Sequence, residues 1–153
     1  MLAVLSLAGC QKATVEPEQV PADTQAAFEA DFSLQYQQKA FPPSTAQPEL
    51  TVQLADLNYT FCPEGMYCVV GPSAWPKLSV TDAQGQTQQV VPPPFNPQRV
   101  PNAAWLDTMS VRANSRRYLL TYQRWEIVKP LSRGENPGKS HFALWFRVNR
   151  IGN

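Results

Sequence analysis

Fifteen prolines interrupt this chain, and between many of them lie short stretches in which apolar and polar residues alternate. Proline removes a backbone donor and breaks the interior of a helix. In a strand, successive side chains point to opposite faces, so a period of two indicates a half-buried strand. Residues 32–37, 50–59 and 142–148 have this period. No segment of ten or more residues has a helical period, so the sequence predicts an all-β fold.

Five further stretches complete the predicted strands, and the first follows a turn within residues 61–70 and begins at about Cys68. Residues 77–81 and 87–91 predict a hairpin around Gly85, which can adopt the positive φ that a tight turn needs. Residues 107–113 predict another strand, and residues 118–128 a long one whose phase breaks near Arg124, as at a β-bulge. Seven or eight strands in all predict a single-domain antiparallel β-sandwich or small barrel over residues 31–153.

Composition sets bounds on the function. Hydrophobic residues make up 43%, charged residues 16%, and the net charge is +1, which gives no reason to expect a nucleic-acid partner. The charge is unevenly distributed: residues 1–90 carry a net −6 and residues 91–153 a net +7. This asymmetry is compatible with a dipolar surface, with charge pairing between the two halves, or with a mixed surface.

The N-terminus has the features of an export signal. Residues 1–9 are apolar and uncharged, end in small residues, and are too short for a membrane-spanning helix of about 20 residues. The tetrad Leu7-Ala8-Gly9-Cys10 resembles the bacterial lipobox, which implies cleavage after Gly9 and lipid on Cys10. Residues 10–30 are then the lipidated cysteine and a flexible tether. No Lys or Arg precedes the apolar run, so a basic segment is missing upstream, or this is a buried strand with a chance cysteine.

The lipobox resemblance also implies a location. A lipidated Cys10 places the protein in the bacterial cell envelope, with the membrane itself as a partner through the lipid. Gln11 follows the cysteine where an aspartate would favour retention at the inner membrane, so the resemblance favours the outer membrane. The periplasmic and the surface face remain open alternatives.

Cys62 and Cys68 are the only thiols left once Cys10 is acylated. An even pair of cysteines in an exported protein predicts a disulfide. Two cysteines cannot fill a four-ligand zinc site, and their spacing is not that of a Cys-x-x-Cys redox motif. We therefore expect a structural disulfide and predict no metal and no cofactor.

Residues 58–71 resemble a signature found in small exported bacterial proteins, abundant in the Bacteroidetes, of the form D-S-R-C-P-x-x-V-x-C-x-W-x-G. The Cys62-Pro63 pair and Cys68 match at the same spacing, whereas the D-S-R and the tryptophan do not, and Gly71 lies one residue nearer to the second cysteine than the glycine of the signature. The resemblance implies a disulfide-bearing β domain in an exported lipoprotein. It implies no activity and no catalytic residue.

Catalytic constellations are not apparent in the sequence. His141 is the only histidine, and the adjacent Ser140 would point to the opposite face of a strand. The spacing of the Asp and Glu residues does not single out a pair of carboxylates that could cleave a glycoside. No phosphate-loop, zinc or calcium motif occurs. The sequence therefore predicts a protein that is not an enzyme.

A binding module is the predicted function. The loop between the two cysteines presents Phe61, Met66 and Tyr67, and aromatic side chains on a braced loop lose little entropy on binding. An envelope protein or glycan is the predicted partner. The alternatives are that these residues cover the core, that the protein is a structural or assembly lipoprotein of the envelope, or that it inhibits an envelope-directed enzyme.

Overall fold

The computed structural model describes residues 19–93 and 107–152, and these residues form a β-sandwich. The described residues contain a single helical turn, a 3-10 turn at Lys139–His141. None of the described helices is long and apolar enough to cross a membrane. The described residues form nine strands: β1 Thr24–Gln25, β2 Asp31–Gln35, β3 Lys39–Phe41, β4 Leu50–Thr60, β5 Ser73–Asp82, β6 Thr87–Val90, β7 Asp107–Ala113, β8 Arg116–Ile127 and β9 Phe142–Ile151.

The strands form two sheets. Sheet A has the order β1-β3-β4-β5-β6, and sheet B has the order β2-β9-β8-β7. Among the described residues each sheet has two free edges, so these strands do not close into the small barrel that the sequence left open. All pairs are antiparallel except β1 with β3, which is parallel. The predicted all-β sandwich is confirmed, with nine strands rather than seven or eight.

The core lies between the sheets and is built by the period-two alternation. In β5 the buried positions Ala74, Pro76, Leu78 and Val80 alternate with more exposed ones. The largest buried side chains come from sheet B: Tyr118, Tyr122, Phe142 and Phe146. Burying such residues is the main favourable contribution to folding. The alternation of apolar and polar residues therefore determines which face of each strand turns towards the core.

The predicted bulge in the long strand is present. The register of β8 against β9 shifts between Tyr122 and Arg124. One extra residue here lets Trp125 and Ile127 pack against the same core as Tyr122, while Arg124 stays exposed. A regular strand would instead have pointed Arg124 inward, which would bury an arginine.

Three local predictions are wrong. The stretch 32–37 is not one strand, because Gln37 takes a positive φ of 66° and the chain turns into β3. Residues 68–70, expected to begin a strand, lie outside the sheet, and β5 starts at Ser73. The folded domain also begins before residue 31: β1 pairs with β3, and Ala26 is buried in the core.

Charge pairing links the acidic first half of the chain to the basic second half. Asp31 binds Arg147, Asp56 binds Lys139, and Glu49 binds both Arg116 and Arg150. Of the three arrangements that the charge asymmetry allowed, pairing between the halves is thus present in the described structure.

Glu49 is the centre of the most buried of these pairs. Burial alone would raise the pKa of Glu49, but the Tyr118 hydroxyl, which donates to it, and the charges of Arg150 and Arg116 lower that pKa below its ordinary value. The pKa values of Asp31 and Asp56 are also lowered, chiefly by hydrogen bonds from Arg147 and Lys139.

These shifts predict the acid sensitivity of the fold. A carboxylate with a lowered folded pKa contributes stability above its unfolded pKa and loses it as the pH falls through the folded value. We therefore expect the free energy of unfolding, measured in urea, to fall as the pH is lowered from 5 to 3. Glu49→Gln should lower stability at pH 7 by about 1–2 kcal/mol and flatten this dependence. Exposed Glu64→Gln is the control, and an equally steep profile in both variants would contradict the role of Glu49.

Candidate functional site

The candidate site is the disulfide loop, residues 61–72, which connects β4 to β5 at one end of the sandwich. The last paired residues of β4 and β5 are Thr60 and Ser73, which lie opposite one another, so the loop begins and ends at the same point of the sheet. The Thr60 hydroxyl lies 2.7 Å from the carbonyl oxygen of Gly71 and 2.9 Å from the Ser73 hydroxyl. These hydrogen bonds close the base of the loop.

The predicted disulfide braces the loop internally. Cys62 and Cys68 are bonded, with their Cα atoms 5.9 Å apart. Between them, the Met66 N–H donates to the carbonyl oxygen of Pro63 over 3.1 Å, and Gly65 takes a φ of 81°. Proline and glycine supply the fixed and the positive φ values that such a tight turn requires.

The loop exposes an apolar cluster, which we define as Met66, Tyr67, Val69 and Val70. Their exposed fractions are 67%, 97%, 94% and 63%. Met66 and Tyr67 therefore do not cover the core, whereas Phe61 is half-buried at the base of the loop. Sequence reasoning missed Val69 and Val70 because two adjacent valines predict a strand.

Beside the loop lies an open groove of about 740 Å³. Phe61 and Leu131 give it apolar walls, and Glu64, Arg133 and Glu135 place charges along it. Its far wall belongs to the β8–β9 loop, residues 128–141. The sequence did not predict this groove, because its two walls lie about 70 residues apart in the chain.

Tyr59 ties the β8–β9 loop to the sheet, and His141 braces the loop internally. The Tyr59 hydroxyl donates to the carbonyl oxygen of Pro137 over 2.7 Å, and its ring lies 4.7 Å from that of Phe142. The Gly138 N–H donates to Nδ1 of His141 over 3.1 Å, and Nε2 of His141 lies 3.8 Å from Glu135. His141, the only histidine, thus holds the loop in place.

The pKa of Glu135 is lowered, first by the hydrogen bond that its carboxylate accepts from the backbone N–H of Ser132. Glu135 is therefore ionised beside His141 at neutral pH. Within residues 19–93 and 107–152, no three His, Cys, Asp or Glu residues lie close enough together to hold a metal ion.

Comparison with protein-family models, with curated proteins and with solved structures finds no significant match for this chain. Cys10, predicted to carry the lipid, lies outside the described residues.

The disulfide gives a direct test of how the loop is held. Replacing Cys62 and Cys68 together by serine removes a cross-link spanning six residues, which should lower the free energy of unfolding by only about 2 kcal/mol because the closed loop is short. The melting temperature should fall while the β-rich circular dichroism spectrum persists, and protease should cut the loop sooner. Free reaction of both thiols of the wild-type protein with an alkylating reagent before reduction would contradict the disulfide.

Proposed function

We propose that this protein is a bacterial envelope lipoprotein, anchored through lipid on Cys10, that acts as a non-catalytic binding module through the disulfide loop. The apolar residues 1–9 and the Leu7-Ala8-Gly9-Cys10 tetrad support the anchor. The exposed apolar cluster on a braced loop supports the binding surface, and it is the observation on which the proposal chiefly rests.

The exposure of the apolar cluster is the feature that supports a binding role. Monomeric proteins rarely expose contiguous large apolar side chains, and where they do, the patch marks an interaction surface. Here the disulfide, the turn at Gly65 and the hydrogen bonds at Thr60 hold the cluster away from the core. A loop that is held in one shape before binding loses less entropy on binding than a flexible one.

An inhibitor of an envelope-directed enzyme is a second candidate, favoured by one feature. Tyr67 is almost fully exposed near the tip of a narrow, cross-linked loop, a shape that can enter a cleft. An inhibitor would form a stoichiometric complex with one soluble enzyme, whereas a structural or assembly lipoprotein would be recovered with membrane-assembly components.

A photo-crosslinking amino acid at position 67 tests the proposal in the native envelope. We expect one specific adduct from position 67 and none from position 84, an exposed site in the turn between β5 and β6 at the other end of the sandwich. Absence of any adduct from position 67, with the protein correctly folded, would refute the loop as a binding surface.

A further inference from the structure

We infer that the partner of the disulfide loop is the surface of the lipid bilayer, so that the protein contacts its membrane twice, through lipid on Cys10 and through the apolar cluster. This inference rests on the proposed function for the anchor, and it names the partner of the same loop. Two independent observations carry it: the chemistry of the cluster and the direction in which the chain enters the domain.

The chemistry of the cluster suits a membrane interface. Tyr67 combines an apolar ring with a hydroxyl that can stay hydrated, and tyrosine is enriched at the level of lipid headgroups. Val69, Val70 and Met66 are apolar side chains without a charge among them. The exposed Glu64 lines the groove beside the loop rather than belonging to the cluster. Insertion need reach only the boundary between headgroups and acyl chains, a depth of about 5–10 Å.

The first folded residues show which end of the sandwich the tether approaches. Thr24 pairs with Ala40, which pairs with Val52, close to the start of β4. Two residues earlier, the carbonyl oxygen of Ala22 accepts a hydrogen bond from the Gln38 side chain. The Gln38 carbonyl in turn accepts the N–H of Leu54, further along β4. Followed backwards, the chain therefore runs beside sheet A towards the end that carries the disulfide loop.

The length of the tether fits this direction. Leu54 precedes the end of β4 at Thr60 by six residues, or about 20 Å of strand. Cys10 and Gln19 are nine residues apart, so they can be separated by at most about 30 Å. The lipid can therefore lie level with the disulfide loop without any reversal of the tether. Placing the opposite end of the sandwich on the bilayer would require the tether to turn back along the whole domain.

Charges at the loop end decide how the contact should respond to salt. The exposed Lys129 and Arg133 of the β8–β9 loop are balanced by Glu64 and Glu135. The attraction is therefore apolar rather than electrostatic, and screening of charges should leave it unchanged. Arg112, Arg116 and Arg117 line a groove at the opposite end and face away from the membrane in this orientation.

The first experiment tests the loop without the anchor. The mature chain, which begins at residue 10 and carries Cys10→Ser, is mixed with vesicles of phosphatidylcholine alone, and its partition is measured by sedimentation. We expect weak binding that is the same at low and high salt and that falls roughly 10- to 100-fold when Tyr67 and Val69 are both changed to serine. Ile151→Ser, which removes a partly exposed aliphatic side chain at the opposite end, is the matched control and should bind like its parent. Equal binding by the loop variant and its parent would overturn the inference.

The second experiment uses the lipidated chain in vesicles that contain a photoactivatable phospholipid. We expect the lipid label on the peptide that contains residues 66–70. Label confined to the N-terminal peptide would overturn the bilayer contact while leaving the anchor intact. A protein adduct from position 67 in the native envelope, with no lipid label on the loop, would overturn it in favour of a protein partner. Finding Cys10 unmodified would remove the anchor, yet the first experiment would still decide whether the loop binds lipid.

Discussion

Changing Cys10 to serine is expected to move the protein from the detergent-soluble membrane fraction into the soluble or precursor fraction. Two or three acyl chains hold a protein stably on a membrane, whereas weaker contacts bind it only reversibly. The apolar cluster alone should therefore not retain the variant through washing. The measurement is fractionation followed by immunoblotting of the full chain.

The double Cys62→Ser/Cys68→Ser variant is the control for this experiment, because it lacks two cysteines but keeps Cys10. It should remain in the membrane fraction. Intact-mass spectrometry that shows an unmodified Cys10 in the mature wild-type protein would contradict the lipid anchor, whatever the fractionation shows.

The second large effect is expected from Tyr122→Ala in the centre of the core. Tyr122 is fully buried, its ring stacks 5.4 Å from that of Phe146 and meets Trp75 edge-on, and its hydroxyl donates to the carbonyl oxygen of Ala74 in the opposite sheet. Removing a large buried ring costs about 3–5 kcal/mol. A small domain has only about 5–15 kcal/mol in total. Urea unfolding should show a midpoint shifted far towards low denaturant.

Tyr122→Phe separates packing from hydrogen bonding. It keeps the ring but leaves the Ala74 carbonyl without its donor, which should cost about 1–2 kcal/mol. Burial raises the pKa of the Tyr122 hydroxyl, so the hydroxyl remains a donor throughout the neutral range. Equal losses in the alanine and phenylalanine variants would show that the ring contributes little, contrary to this account of the core.

Alternation predicted the fold well wherever one face of a strand is buried. The strand over residues 107–113 has the predicted bounds, and the bulge near Arg124 was visible as a break in the pattern. The short strands β1 and β3 were missed because they lie at or next to a sheet edge and have only two or three residues each. A strand of two or three residues is too short to show an alternation of apolar and polar side chains.

The site could be predicted only in part. Proline, glycine and the cysteine pair are local signals, so the braced loop with Met66 and Tyr67 was predictable, while its binding role stays a prediction. Val69 and Val70 were misassigned because the strand preference of valine reflects packing against neighbours, and here Gly71-Pro72 separates the valines from the sheet. The charge pairing between the halves depends on which strands become neighbours, which composition does not determine.

The position of β9 has a consequence for how the chain folds. This last strand, Phe142–Ile151, lies between β2 and β8 and supplies much of the buried aromatic and aliphatic surface of sheet B. Contacts between segments so distant in the chain form slowly, because a long loop must close before they form. During synthesis β2 emerges more than 100 residues before its partner β9, so sheet B can be completed only when nearly the whole domain has been made. Until then the edge of β2 is open to pairing with another chain, which makes this edge the point of the fold most exposed to aggregation.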